Sequence, residues 1–346
     1  MKKTNLSIFI PHIGCPHLCS FCDQKSISGT QKAPTAKEVE VLLEEQSEHL
    51  LSEGKTAEIA FFGGSFTAIP REYMLGLLET AKSAVERFPV YTGIRCSTRP
   101  DCVSVEIAEL LVNYGVTAVE LGAQSMSDEV LSANDRGHTA EDVRKAAEII
   151  GESGIELGLQ MMTGLYKDTA ERCLYTAEEF IKLSPKTVRI YPTVILKNTR
   201  LGELFERGEY SSFSFEETID LCAKLLKRFE ENDIKVIRLG LHASAEVERD
   251  MLGGVYHPAL REIAESRIML GELKKRLEKA EKGCYTVFTD PRNISKVTGQ
   301  KKCNKKALSE LGYEIEVLPL KGENLLIKQL QAKRNPGYTS GEQRTG

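Results

Sequence analysis

The sequence predicts an α/β fold: a partial (β/α)6 TIM-type barrel followed by a small α+β domain. Three observations lead there. Short β-rich runs alternate with longer helical patterns, turn signals follow the C-terminal end of one strand after another, and the alternation stops near residue 240. Strands alternating with helices form parallel βα units. Six consecutive units suit a partial barrel better than an open, doubly wound sheet.

The predicted strands are Leu6–Ile10, Glu58–Phe62, Gly93–Ser97, Ala118–Gly122, Glu156–Met161 and Thr187–Tyr191, each a short run bounded by polar or turn residues. Apolar residues recur at helical spacing over Thr35–Ser52, Arg71–Arg87, Ala140–Glu152 and Ala170–Leu183, and a further helix, Phe215–Glu230, follows the last strand. Gly63-Gly64, Thr98-Arg99-Pro100-Asp101, Gly122-Ala123-Gln124 and Thr163-Gly164 fall at strand C-termini, the end where barrel active sites are built. Beyond residue 240 come a Leu-, Lys- and Glu-rich helix, Pro258–Ala280, and strand-like pieces at Cys284–Thr289 and Tyr313–Pro319. The expected organisation is a barrel core over 1–240, a small basic domain over 241–330 and a loose polar tail over 331–346.

The 346 residues, 41% of them hydrophobic, suffice for one large domain and a smaller one. No apolar run approaches the ~20 residues of a membrane span. The stretch behind Met1-Lys2-Lys3 is too short for a signal peptide and is stopped by Pro11 and His12. Nine cysteines, an odd number and mostly scattered, do not form a disulfide framework; Cys96, Cys102, Cys173, Cys222, Cys284 and Cys303 read as small buried hydrophobes in a reducing cytoplasm. Lys and Arg number 27 against 36 Asp and Glu over residues 1–240, and 19 against 14 thereafter. Between Arg292 and Lys306 lie six basic residues and no acidic one, a pattern of a solvated face or of contact with an anionic polymer.

The run Gly14-Cys15-Pro16-His17-Leu18-Cys19-Ser20-Phe21-Cys22 spaces three cysteines as C-x3-C-x2-C on a loop after the first strand. Three thiolates this close can hold three corners of an iron–sulfur cube, with one iron left open to a small molecule. Structural zinc would want four ligands, commonly two C-x2-C pairs; His12 and His17 are the nearest candidates. A redox Cys19-x-x-Cys22 pair would leave Cys15 unexplained.

C-x3-C-x2-C with an aromatic, Phe21, before the last cysteine resembles the signature of the radical S-adenosylmethionine (radical SAM) superfamily. The resemblance implies a 4Fe–4S cluster on Cys15, Cys19 and Cys22, and SAM chelated at the open iron. It also implies reductive cleavage of SAM to methionine and a 5′-deoxyadenosyl radical, fed by a flavodoxin- or ferredoxin-type donor. Phe61-Phe62-Gly63-Gly64-Ser65 resembles the superfamily's Gly-Gly-Glu type motif for the SAM amino group, with Ser65 in the place of the acidic residue. Arg95-Cys96-Ser97-Thr98-Arg99-Pro100-Asp101 is similar to the Glu-Thr-Arg-Pro-Asp stretch of the radical-SAM subunit of Elongator. Ser97 stands where Glu is usual, and its hydroxyl hydrogen-bonds without a charge. The Arg99 and Asp101 side chains suit a loop ion pair as well as a substrate role.

Glu120-Leu121-Gly122-Ala123-Gln124-Ser125 and Arg136-Gly137-His138-Thr139 resemble the same Elongator subunit. Oxygen-independent coproporphyrinogen III oxidase shares the Gln and the Arg twelve residues later. The resemblance assigns SAM contacts to Gln124 and Arg136, whose fork matches a carboxylate. His138 reads as a helix neighbour without chemistry. Leu159-Gln160-Met161-Met162-Thr163-Gly164-Leu165 is similar to a third Elongator stretch and implies Gln160 near the SAM ribose, with Met161 and Met162 as packing. Ile190-Tyr191-Pro192-Thr193 continues the likeness, and Gly254-Val255-Tyr256-His257-Pro258 reads as a packed turn.

The chain ends too early for the acetyltransferase domain that follows the Elongator core. The function expected is therefore radical SAM chemistry for tRNA uridine modification, with RNA held through Lys301, Lys302, Lys305 and Lys306. The alternatives are a small-molecule reaction, such as decarboxylation of a coproporphyrinogen-type propionate, and a non-catalytic metal-binding RNA module. No catalytic residue beyond the cluster is named by the sequence.

Overall fold

The computed structural model describes residues 2–10, 13, 15, 18–23, 32–242 and 244–329. His12, His17 and the tail over 331–346 lie outside them. The chain forms two compact units, Met1–Ala264 and Glu265–Gly346.

In the first unit, seven parallel strands make one sheet: β1 (Lys2–Ile10), β2 (Lys55–Gly63), β3 (Tyr91–Thr98), β4 (Val116–Gln124), β5 (Glu156–Thr163), β6 (Thr187–Pro192) and, after a short strand β7 (Val194–Leu196), β8 (Lys235–Leu239). Their order in the sheet follows the chain, and helices join them. These helices are α1 (Ala36–Ser52), α2 (Arg71–Arg87), α3 (Val105–Asn113), α4 (Asp128–Ala133), α5 (Ala140–Glu152), α6 (Ala170–Lys182), α7 (Arg200–Glu206) and α8 (Phe215–Glu231). This is the expected α/β partial barrel with one more strand than the sequence suggests. β8, Lys-Val-Ile-Arg-Leu, escapes a sequence reading because two of its five residues are cationic. The strands of the middle of the sheet are buried along most of their length, as parallel strands covered by helices must be.

Local chemistry fixes where the helices begin. Capping boxes open three of them: Thr35 with Glu38, Thr139 with Asp142, and Ser214 with Glu217. Ser104, Thr169 and Thr199 cap three more through their hydroxyls. Beyond β8 come α9 (Ala245–Asp250) and β9 (Met251–Gly254), which pairs antiparallel with β7. The division between the units falls within α10 (Leu260–Leu277).

The second unit holds the later part of α10, β10 (Gly283–Thr289), the short helices α11 (Ile294–Thr298) and α12 (Cys303–Ser309), β11 (Tyr313–Pro319) and β12 (Leu326–Gln329). β10 is central, parallel to β11 and antiparallel to β12. Leu273, Leu277, Tyr285, Val287, Val297, Leu308 and Ile315 form its core.

The bore of the partial barrel is charged. Glu120 on β4, 1% exposed, accepts from Arg189 of β6 at 2.5 and 2.8 Å and from Gln160 of β5 at 2.8 Å. Arg95 of β3 reaches Glu58 at 3.1 Å, Glu156 at 3.2 Å and Glu120 at 3.5 Å. Gly158 makes the room: a Cβ there would stand 3.0 Å from the Glu120 Cγ. Removing one partner of such a buried network leaves uncompensated charge, which costs more than the network's net contribution. Glu120→Ala should therefore destabilise the fold by about 3–5 kcal/mol in chemical denaturation, and Glu120→Gln, which keeps the shape but removes the charge and turns an amide donor towards the Arg189, Gln160 and Arg95 donors, should cost nearly as much; a loss far below that of the alanine variant would show that charge balance is not what holds the bore.

Candidate active site

The thiol loop follows β1 and is fastened by its backbone. Ser20 donates from its amide to the Asn134 carbonyl at 3.1 Å and from its hydroxyl to the Asn134 side chain at 2.8 Å, and its own carbonyl receives the Leu201 amide at 2.7 Å. Phe21 packs on an apolar cluster of Ile195, Leu201, Leu204 and Tyr210. Cys19 is buried, Cys15 and Cys22 are half-buried, and the Cys22 amide donates to the Cys19 carbonyl at 3.1 Å.

Gly63 and Gly64 earn their place by close approach. Gly63 has φ +113°, and a Cβ there would stand 2.7 Å from the Ile10 carbonyl oxygen; at Gly64 a Cβ would stand 2.2 Å from that of Ile13. The Gly64 amide donates to Ile10 at 2.8 Å. The pair thus lets the Ile10 and Ile13 backbone lie directly against the end of β2. Ser65, buried beside it, shares a hydrogen with Thr98 at 2.7 Å and accepts the Arg99 amide at 3.2 Å, lacing the ends of β2 and β3.

The thiols feel one another. Burial first, then Cys19 and Cys15, push the Cys22 thiol up to about 12; burial, with Cys19 adding to it, also raises Cys15, against the Ser65 amide and the guanidiniums of Arg99 and Arg136. Among the described residues no three Cys, His, Asp or Glu side chains crowd around a point where one ion would sit. A cluster takes its thiolates at separate irons and does not ask for that crowding.

Arg136 ties the loop to the β4 rim. It is buried, its Nη1 donates to the Cys19 sulfur at 3.1 Å, and its Nη2 donates to the Gly122 carbonyl. Gln124 ends β4 at φ +66°, a left-handed conformation that costs a non-glycine residue on the order of 1 kcal/mol. Four buried polar atoms in this neighbourhood lack a partner among the described residues: Gln124 Oε1, Arg136 Nε, Arg99 Nη1 and His138 Nδ1. Arg99 pairs both oxygens of Asp101, at 2.9 and 2.7 Å, through its other nitrogens.

Other sequence candidates lie as follows. Ser97 is half-buried and in register with Glu120; Gln160 points into the bore and is held by Glu120. Met161 is fully buried. Tyr256 and His257 are a packed turn: the Tyr256 hydroxyl receives the Ser244 amide and donates to the His242 carbonyl, and the His257 ring accepts from Ala259. Lys301, Lys302 and Lys306 are exposed and Lys305 half-buried, and none of the four joins an ion pair among the described residues. His138, read from the sequence as a helix neighbour, is a buried side chain whose Nε2 meets the Ala123 carbonyl at 3.2 Å.

Comparison with known proteins now bears on this arrangement. The family model described as the radical SAM superfamily matches residues 9–180, and that of the radical SAM C-terminal domain matches 185–269. The chain belongs to the radical SAM superfamily. It is therefore an enzyme, and the superfamily implies SAM and a 4Fe–4S cluster as cofactors. It is 29% identical over 236 residues to human Elongator complex protein 3, across 61% of this chain and 41% of that protein. It is 31% identical over 186 residues to a tRNA uridine(34) acetyltransferase of Methanocaldococcus jannaschii, across 48% of this chain and 34% of that one. The chain thus spans well under half the length of these relatives. In fold it is similar to the Elp3 of Methanocaldococcus infernus, with a TM-score of 0.62 and 21% identity, over 81% of this chain and 64% of that chain. No described helix is long and apolar enough to cross a membrane.

His138 gives this radical SAM site a pH signature. Burial, then the Arg136 and Arg99 guanidiniums, push its pKa from 6.5 down to about 4. Between those values the unfolded chain binds a proton that the folded one refuses, so stability falls as the pH drops from 6.5 towards 4. The wild type should lose about 3 kcal/mol across that window relative to His138→Gln in paired denaturation series; parallel curves for the two proteins would contradict it.

Proposed function

We propose that this enzyme holds a 4Fe–4S cluster on Cys15, Cys19 and Cys22, binds SAM at the adjoining rim, and modifies a uridine of tRNA. The observation that carries the proposal is the set of partnerless buried atoms beside the thiols. An unpaired buried polar atom costs about 1–3 kcal/mol, and native interiors leave few of them. Four together, on residues from the ends of β3 and β4 and the segment before α5, match a polar ligand that supplies their partners. SAM offers an ammonium, a carboxylate and a ribose, and the Gln124 carbonyl oxygen and Arg136 guanidinium are of the right polarity for the first two.

The donor chemistry also fits. The Cys15 and Cys22 thiols, raised by burial and by their neighbours, become ligands when a cationic cluster neutralises them, and ligation releases their protons. When bound, the cluster and SAM supply one-electron cleavage of the sulfonium bond, giving methionine and a 5′-deoxyadenosyl radical, with a flavodoxin- or ferredoxin-type protein as the electron source. The chain's own residues position and shield. Arg136 fixes Cys19 against β4, the glycine pair brings the loop to the rim, Phe21 anchors it on apolar surface, and Ser65, Ser97 and Gln160 line the way inward. Burial keeps water from the reacting centre.

The tRNA part of the reading is supported by the likeness to a tRNA uridine(34) acetyltransferase and by four lysines that have no acidic partner among the described residues of the second unit. Lys301 and Lys302 both hold left-handed backbone, φ +49° and +62°, a conformation tolerated where the rest of a structure compels it.

Anaerobically reconstituted protein with dithionite and SAM should form 5′-deoxyadenosine, and Cys15→Ala, Cys19→Ala or Cys22→Ala should abolish both the product and the four-iron absorbance. Persistence of a four-iron signal in any of them would contradict the ligand assignment. Neutralising Lys301, Lys302, Lys305 and Lys306 together should weaken tRNA binding at least tenfold and flatten its salt dependence, leaving 5′-deoxyadenosine formation without tRNA unchanged; unaltered tRNA affinity would remove these lysines from the interface.

A further inference from the structure

Among the described residues, Arg238 is a cation of the barrel that the bore network leaves without a carboxylate. Arg238 on β8 is the register partner of Arg189 on β6, and neighbouring partners on parallel strands present their side chains to the same face of the sheet. Arg189 is neutralised by Glu120. Arg238 has no carboxylate partner among the described residues: its one hydrogen bond runs from Nε to the carbonyl of Gly240, at 2.8 Å. Gly240 follows the end of β8, so that bond draws the guanidinium towards the C-terminal rim and leaves both terminal nitrogens without a partner among the described residues. The side chain is half-buried. Tyr191 lies beside both guanidiniums. Partial burial, helped by Arg238 and Arg189, pushes the His242 imidazole below its ordinary pKa, as a local positive field would.

A half-buried guanidinium next to a second one is costly in isolation, and proteins seldom keep such a charge without an anion. At the C-terminal end of barrel strands, the anion is expected on the ligand. We infer that Arg238, backed by Arg189 and flanked by Tyr191, is an anion subsite at the barrel mouth that takes a phosphate of the nucleotide being modified. The inference rests on the tRNA reading above and adds a specific contact to it. Chemistry on a base in a recessed site requires the nucleotide to leave its stack, and its phosphate travels with it. An arginine fork binds two phosphate oxygens at once, and an aromatic ring beside it suits an unstacked base.

The test uses the cluster-reconstituted protein and fluorescently labelled bulk tRNA, with Arg238→Gln, Arg238→Lys and, as a control on an exposed arginine, Arg207→Gln. Arg238→Gln should weaken binding about tenfold and reduce the slope of log affinity against log salt by about one. Arg238→Lys should recover part of the affinity, and Arg207→Gln should behave as wild type. The thermal midpoint of Arg238→Gln should equal or exceed that of wild type, since the substitution removes an uncompensated charge; a merely structural arginine would lower it. Unchanged tRNA affinity in Arg238→Gln overturns the inference, whatever the midpoint does. Failure of the tRNA reading looks different: the wild type itself then binds no tRNA. In that case a propionate-bearing tetrapyrrole is titrated against wild type and Arg238→Gln. Affinity lost in the variant assigns the subsite to a carboxylate and overturns the phosphate assignment, and no affinity in either overturns the subsite altogether.

Discussion

Arg136 donates to the sulfur of Cys19 on one side and to the carbonyl of Gly122 on the other. A loop and a strand end that share no covalent neighbourhood are joined through one buried guanidinium, and most of the site's geometry follows from that junction. It sets Cys19 against β4, where Gln124 turns out of the strand in a left-handed conformation. It places a fixed positive charge beside Cys15 and Cys22, where it opposes the upward push of burial on both thiols. It also adds positive charge beside His138, whose burial already disfavours protonation, so that this ring stays neutral in the ordinary pH range. A sulfur, a carbonyl and a cation together form a strong arrangement only where water is scarce, because charge-assisted hydrogen bonds weaken in a high dielectric.

Around this junction the fold works as a frame with two different interiors. The helix-facing sides of the strands are apolar, whereas the bore is lined by arginine and glutamate in near balance. The balance matters because burying ions is expensive, and the attraction between them repays the cost only when the remaining hydrogen bonds are also met. Glu120 meets that condition with Arg189, Gln160 and Arg95 as partners. The consequence is a polar floor beneath the rim and, among the described residues, a surplus cation, Arg238, near its edge.

Much of this was legible in the sequence, and the unread part has a physical pattern. Helices Arg71–Arg87 and Ala140–Glu152 and strand Tyr313–Pro319 carry clear periodicity or clear boundaries, and they fall where their residues say. The thiol triplet is legible because its members are close in the chain. β8 is not, since its cationic residues mask a strand that is stabilised by its neighbour β6. The bore network is invisible to any local reading: Arg95 and Glu120 lie 25 residues apart, and Arg189 and Glu120 lie 69 apart. Gly63 and Gly64 suggest a ligand's approach from sequence, and the structure supplies an additional demand, the close approach of the Ile10 and Ile13 backbone. His138 looks like a helix neighbour in sequence because only the fold surrounds it with Arg136 and Arg99.

The central claim is that the thiol loop and the β4 rim form one cofactor site joined by Arg136. Electron paramagnetic resonance of the dithionite-reduced, reconstituted protein tests it most directly, recorded before and after SAM is added, in wild type and in Gln124→Ala. The account predicts a reduced four-iron signal in both proteins, reshaped by SAM in wild type and reshaped only at much higher SAM concentration in the variant. A four-iron signal that SAM leaves unchanged in wild type, or that responds at the same SAM concentration in Gln124→Ala, would contradict it.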